Sequence, residues 1–419
     1  MTLNLLPAST ADYRRLAKQR LPRALFDYID GGAYAERTLA ANVADFEAIA
    51  LKQRVMRDVS RRDARISLFG EDWAMPLALA PIGLGGMMAR RAETLAARTA
   101  EKIGIPFCLS TVSICSLEEV AKAATKPFWF QLYMLKDRGH VRDLLARARA
   151  VGVKTLVFTV DLAVMGARYR DMRNGMGGGL SRLGRLRLAA DYAAHLPWAY
   201  DVGIRGKPHV FGNLASYVPR ASTPADFGGW VAAQFDASVT WKDIEELRRW
   251  WEGPLVVKGV LSPEDARAAA GAGADAVIVS NHGGRQLDGV SSSIGMTPRV
   301  ADAVGDRIAV LMDGGVRSGA GILRALALGA RAVLIGRPWI WALAGRGERG
   351  LSALLKTIKA ELDVAMALTA APTAAAITRD VLDVSETPPG LAQPHLTLAK
   401  NGASDGTRTR DLRRDRPTL

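Results

Sequence analysis

Ala276-Val-Ile-Val-Ser-Asn-His-Gly-Gly-Arg-Gln-Leu-Asp288 is a short β-branched run that breaks straight into a polar loop hinged on two glycines. A four-residue apolar run closed by turn residues reads as a fully buried strand of a parallel sheet. The same texture recurs on both sides of it. Upstream lie Leu77–Pro81, Pro106–Leu109, Pro127–Gln131, Thr155–Val160 and Pro254–Lys258, and downstream Ile308–Met312 and Ala332–Ile335. Amphipathic stretches such as Leu117–Ala124, Arg138–Ala150, Pro263–Ala270 and Gly319–Leu328 separate most of these runs. Eight strand–helix units over Met75–Thr369 predict an α/β fold of the (β/α)₈, or TIM, barrel type, whose usual span of about 250 residues leaves room for insertions. A doubly wound sheet is the alternative. The first strand is not followed by the glycine fingerprint of a dinucleotide site, which argues against it.

Three segments fall outside the repeat. Residues 1–74 form an N-terminal helical segment expected to pack on the barrel. It opens on the start signal Ser9-Thr10-Ala11-Asp12, with helical periodicity through Tyr13, Leu16, Leu25, Phe26 and Ile29, a break at Gly31-Gly32, and a second helix over Tyr34–Ile49. The barrel domain covers 75–385. Between its fourth and fifth strands, Gly166–Glu252 is too long for an ordinary loop, so 171–240 is read as an insertion. Arginines and leucines alternate there from Met176 to Leu188, with Trp198 and Tyr200 following. That mixture suits an interfacial membrane segment, and a solvated lid is the plainer reading. Residues 386–419 end in an arginine-rich stretch without apolar period and are expected to be a disordered tail.

Composition narrows the function classes. Hydrophobic content of 49% and charged content of 23% allow a sizeable core. Cys108 and Cys115 match no metal-ligand spacing and read as small buried residues, so neither a disulfide framework nor a metal site is expected. No secretory signal and no spanning apolar run appear. A formal net charge of +14 suits nucleic acid or an anionic membrane surface. No nucleic-acid-binding motif accompanies it, which favours the membrane.

In a barrel of this kind the working residues sit at the C-terminal strand ends. Those ends read Ala80-Pro81-Ile82-Gly83, then Ser110, Gln131 with Tyr133, Thr159 with Asp161, Lys258, Ser280 with His282 and Arg285, Asp313-Gly314-Gly315-Val316-Arg317, and Gly336-Arg337. His282 can take a proton near neutral pH, and Arg285 can grip a carboxylate through two parallel hydrogen bonds. Together they suit chemistry on the carbon beside a carboxylate, which points to 2-hydroxy acids. Asp161 can orient His282 and stabilise its imidazolium, or serve as a turn residue. Tyr133 can bond a substrate oxygen as charge develops there. Gly314, Gly315 and Gly336 suit either tight turns or a phosphate cradle, and Arg317 and Arg337 close after them favour the cradle. Lys258 at a strand end needs an anionic partner. Ser110, Gln131 and Thr159 could edge a heteroaromatic ring or satisfy loop backbone. His140, His195, His209 and His395 lack such a setting.

Taken together, these residues resemble the FMN-dependent α-hydroxy acid oxidase and dehydrogenase family, within it the quinone-linked L-lactate dehydrogenases of bacterial respiration. The likeness runs from about Asp12 to Thr378. It is most specific over Ser280–Asp288 and Asp313–Arg317, with support from Phe107–Thr111, Phe130–Tyr133 and Gly166–Arg170. The resemblance implies FMN as cofactor, held by Ala80 to Gly83, Ser110, Gln131, Thr159, Ser280, Asp313 to Gly315, Arg317, Gly336 and Arg337, with Lys258 against the flavin's N1/O2 edge. It implies His282 as base, Asp161 as its support, and Tyr28, Tyr133, Arg168 and Arg285 as substrate contacts. The expected reaction is oxidation of L-lactate or a close L-2-hydroxy acid to the 2-keto acid, with electrons passed to a quinone. The expected location is the cytoplasmic face of the bacterial inner membrane, as a peripheral homo-oligomer. Gly83 stands where oxidases commonly carry alanine, which favours a dehydrogenase over a soluble oxidase using dioxygen. Ala163-Val164-Met165 replaces a proline-containing stretch familiar from related lactate dehydrogenases, and this leaves a mandelate-type substrate open.

Overall fold

The structure, a computed structural model, describes residues 6–175, 180–218, 229–230 and 233–383. Eight parallel strands form the barrel: β1 (Leu77–Leu79), β2 (Cys108–Ser110), β3 (Trp129–Leu132), β4 (Leu156–Thr159), β5 (Leu255–Val260), β6 (Ala276–Val279), β7 (Ala309–Asp313) and β8 (Ala332–Ile335). Each pairs with its sequence neighbour, β8 returns to β1, and a parallel bridge between Leu79 and Phe107 closes the ring. The eight runs read from sequence each overlap a strand, with boundaries displaced by at most two residues at either end.

Strand parity decides what faces where. Because side chains alternate along a strand, one set fills the barrel interior: Ala78, Cys108, Trp129, Val157, Val256, Ile278, Leu311 and Leu334 share one buried cluster. The alternate set, among them Leu79, Leu109, Phe130, Phe158, Val257, Val277 and Met312, packs against the surrounding helices. The next inward position along each strand or just past its end is then Ala80, Ser110, Gln131, Thr159, Lys258, Ser280, Asp313 and Gly336. The interior therefore ends in a largely polar rung at one mouth. At the opposite mouth an antiparallel hairpin, Ile66–Leu68 with Glu71–Trp73, acts as a plug. Its Trp73 and Phe69 rings lie 5.4 and 5.8 Å from Trp129. The alternating pattern of so short a hairpin was not visible in the sequence.

Around the barrel run α4 (Ala92–Ile103), α5 (Leu117–Ala123), α6 (Arg138–Ala150), α9 (Trp241–Trp250), α10 (Pro263–Gly271), α11 (Ser293–Val304), α12 (Gly319–Ala327) and α13 (Arg337–Leu368). Three helices precede it: α1 (Thr10–Arg20), α2 (Arg23–Asp30) and α3 (Arg37–Glu47). Ser9 and Asp12 form a reciprocal capping box at the start of α1. The helical period expected to run unbroken to Ile29 is interrupted at Leu21-Pro22, because proline cannot continue a helix yet starts one well. The segment from Tyr34 begins its helix only at Arg37, after Tyr34 and Glu36 adopt left-handed backbone.

The insertion carries α7 (Tyr169–Arg173) and α8 (Arg182–Ala194). Leu183, Leu186 and Leu196 are exposed, as is Tyr200. Trp198 departs from the interfacial expectation: it is buried, and its indole donates to the Met87 carbonyl at 2.8 Å. No helix among the described residues is long and apolar enough to cross a membrane. The expected tail, 386–419, lies outside the described residues, as do parts of the insertion.

Candidate functional site

The loop after β6 is the most constrained element at the polar mouth. His282 takes a left-handed φ of 57°, followed by Gly283 and Gly284 at 63° and 73°. A non-glycine residue held there is strained unless its surroundings fix it. Here Ser280 Oγ accepts from the His282 amide at 3.0 Å and from Lys258 Nζ at 2.9 Å. Asn281 and Asn42 exchange two amide hydrogen bonds at 2.8 Å, and Asn281 Oδ1 also receives the Gly284 amide.

His282 Nδ1 lies 2.8 Å from Asp161 Oδ1, leaving the other ring nitrogen directed away from the carboxylate. Burial drives the imidazole below its ordinary value, against the opposing pull of Asp161, so the ring is neutral near pH 7. Burial works to raise the Asp161 carboxyl, but His282 in its protonated form and Lys258 outweigh it and hold the group below the usual carboxylate range. Lys258 ion-pairs with Asp313 at 3.0 Å. Burial disfavours its ammonium, yet Asp313 and Asp161 more than compensate, so the lysine stays charged.

Four guanidiniums crowd the rest of the mouth. Arg285 Nη1 donates to the Tyr28 and Gly31 carbonyls at 2.6 and 2.8 Å and lies over the Tyr28 ring. Arg337 donates to the carbonyls of Asp30, Gly31 and Gly283. Arg317 stacks on Trp341, and Arg168 donates to the Arg285 carbonyl. Burial, reinforced by Arg168, pulls Arg285 down to about 9; burial, reinforced by Arg317, does the same to Arg337; burial takes Arg317 to about 10. Cations so placed are short of negative charge, and an anion entering the mouth relieves them.

One cleft gathers Tyr28, Ala80, Pro81, Ile82, Gly83, Thr159, Arg168, Lys258, His282, Arg285, Asp313, Gly314, Gly315, Arg317, Gly336 and Arg337. Ser110, Gln131, Ser280 and Asp161 stand behind this wall, and Tyr133 lines an adjoining cleft that shares Thr159. Tyr133 packs on Phe235, and burial raises its phenol well above the ordinary tyrosine value. Gln131 Nε2, Thr159 Oγ1, Asp161 Oδ2 and Asp313 Oδ1 are buried without a hydrogen-bond partner in the structure. Four orphaned polar atoms on one rim are costly unless a ligand satisfies them.

Several contributors were not legible beforehand. Gln286 donates to the Asp161 and Val164 carbonyls and so ties the β4 loop to the β6 loop; its position beside Arg285 in the quoted stretch was the available signal. Asn42 sits on α3 with no local mark. Asp171, whose carboxyl burial raises against the opposing charges of Arg285 and Arg168, lies at the first position of the insertion and carries no signal in the sequence.

A family model described as FMN-dependent dehydrogenase matches residues 17–384. An L-lactate dehydrogenase of Caulobacter vibrioides (strain NA1000 / CB15N) is 58% identical over 383 residues, 91% of this chain and 97% of the relative. One of Yersinia pestis (strain Pestoides F) is 53% identical over 382 residues, 91% of this chain and 99% of the relative. Among solved structures, a monotopic membrane protein, (S)-mandelate dehydrogenase, matches with a TM-score of 0.84 at 36% identity, covering 91% of this chain and all of that one. Mandelate oxidase with (S)-4-hydroxymandelic acid matches with a TM-score of 0.77 at 37% identity, covering 90% and 98%. FMN joins a polar heteroaromatic ring to a phosphate, and the orphaned rim atoms and anion-short arginines fit those two parts. Fold, rim chemistry and sequence agree, and the chain belongs to the FMN-dependent dehydrogenase family.

Proposed function

We propose that the protein oxidises L-lactate, or a close L-2-hydroxy acid, to the 2-keto acid. The observation that carries this reading is the 2.8 Å contact between His282 and Asp161, set in one mouth with Arg285 and Arg168. The Caulobacter and Yersinia relatives, named for L-lactate, supply the substrate class.

Arg285 binds the substrate carboxylate, and Arg168 adds a second positive charge beside it. Tyr28 and Tyr133 hydrogen-bond the substrate's oxygens. His282, neutral at pH 7, accepts one of the two protons that the hydroxy acid loses. Asp161 holds the ring's orientation and stabilises the imidazolium that results. FMN, when bound, would supply the acceptor for the two electrons and the other proton. Gly314, Gly315 and Gly336 offer backbone amides to its phosphate beside Arg317 and Arg337. Ala80 to Gly83, Ser110, Gln131, Thr159, Ser280, Asp313 and Lys258 hold its ring, the lysine contributing positive charge.

The test is direct. His282→Ala retains the visible flavin spectrum but loses flavin bleaching by L-lactate under anaerobic conditions. Normal bleaching in stopped flow removes His282 from the reaction.

The electron acceptor in this reading is a membrane quinone, and the protein is a peripheral homo-oligomer on the cytoplasmic face of the bacterial inner membrane. Support comes from the exposed Leu183, Leu186 and Leu196 among the arginines of the insertion, from the +14 charge, and from the monotopic membrane neighbour. Quinone-analogue reduction exceeding peroxide release by purified enzyme is the expected result. Dominant peroxide release favours the oxidase reading instead.

A further inference from the structure

A second basic feature lies outside the barrel wall, between α1, α4 and the middle of α13. It is a cleft of about 880 Å³ lined by seven arginines and only two carboxylates, Asp201 and Glu348. Arg91 is committed to Glu119. The other six, Arg20, Arg90, Arg98, Arg205, Arg346 and Arg349, come from four segments far apart in sequence.

Their charges are not balanced. Asp201 is shared by Arg20 and Arg90, at 3.1 and 3.2 Å. Glu348 is shared by Arg98 and Lys102, at 2.5 and 3.0 Å. Arg205, Arg346 and Arg349 form no ion pair among the described residues. Arg20 Nε and Arg98 Nε are buried without a hydrogen-bond partner. The chain also gives up regular helix here: Arg346 has φ −142° and ψ 17°, and Gly347 has φ 61° and ψ −156°. A side chain on Gly347 would meet nothing within 4 Å, so the break opens onto free space. Clustered guanidiniums with unspent donors match the several oxygens of a phosphate. Exposed apolar residues flank the cleft: Leu6 at its edge, and Tyr200 and Ile204 beside Asp201 and Arg205.

We infer that this cleft is a binding site for a phosphate-bearing anion, separate from the one at the barrel mouth. Two sources share that chemistry, an anionic lipid headgroup and a soluble phosphate compound. The apolar flank favours the headgroup, and only that choice rests on the membrane reading above.

The experiment uses full-length holoprotein and the double variant Arg346→Glu/Arg349→Glu, both positions being exposed and remote from the site described above. The probes are phosphatidylcholine vesicles with and without phosphatidylglycerol, and inorganic pyrophosphate followed by calorimetry. For a lipid site, the parent protein prefers phosphatidylglycerol vesicles, and reversing two charges weakens that binding by about tenfold or more at moderate salt. Flavin absorbance and turnover with a soluble dye stay unchanged. Pyrophosphate heat in the parent, absent in the variant, with no vesicle binding by either, supports the site with a soluble occupant and rejects the membrane reading. Equal binding of both probes by parent and variant overturns the inference. So does a change of oligomeric state in the variant, which makes the cleft a contact between copies. Arg205→Gln, read with the same probes, replaces the double variant if that protein fails to fold.

Discussion

At the scale of single residues, the proposed base His282 and its partner Asp161 set the expected pH behaviour. The free His282 ring has its pKa lowered by burial, so it remains an unprotonated base below the ordinary imidazole value. The acidic limb of kcat/KM is therefore expected below about pH 6.5. Asp161 opposes that lowering, so Asp161→Asn moves the limb further down. The same change weakens the base and cuts kcat at pH 7 by about 10²–10⁴-fold. A limb that moves up in a pH profile of the variant contradicts the assignment. His282 and Arg285 could be picked out from sequence because a glycine-hinged loop at a strand end allows little else. The arginines' other partners could not. Arg285 and Arg337 donate to backbone carbonyls of α2, and backbone carbonyls carry no sequence signature.

At the scale of elements, parity along the strands and the fit of α3 over the β7 loop hold the mouth together. Gly315 has φ 89°, and a Cβ there would sit 1.8 Å from the Asn42 carbonyl oxygen. Gly315→Ala is expected to cost about 2–4 kcal/mol and to loosen the retention of flavin, since backbone must move. Thermal unfolding with and without added FMN checks both parts. Trp129, fully buried between the barrel interior and the hairpin plug, offers a contrasting case. Trp129→Ala is expected to cost about 3–5 kcal/mol while leaving substrate affinity intact, because the cavity opens at the far end of the barrel. Strands were readable because each is a short apolar run closed by glycine or polar residues. The α1–α2 break was marked by Pro22 yet hidden under an apolar period that continues across it.

At the scale of the whole molecule, flavin and fold stabilise each other. A ligand that binds only the folded chain adds about 4 kcal/mol at a thousandfold excess over its Kd. Stripping FMN is thus expected to lower the thermal midpoint and to do so less in an Arg317→Ala/Arg337→Ala protein. An equal drop in both argues against those arginines as phosphate ligands. The barrel could be read from the chain because its eight units repeat; the insertion was marked by its length, but α8 inside it was not, since Leu183 and Leu186 are exposed and the helix has no buried face. The last helix begins at Arg337, and that side chain reaches back to the end of α2, contributed by the first thirty-one residues. The end of α2 and the start of α13 thus meet over the mouth that gathers the candidate site. During synthesis that mouth therefore stays unfinished until the eighth strand has emerged. A cut just ahead of Gly31 would separate the Tyr28 and Asp30 carbonyls from the chain that carries Arg285 and Arg337.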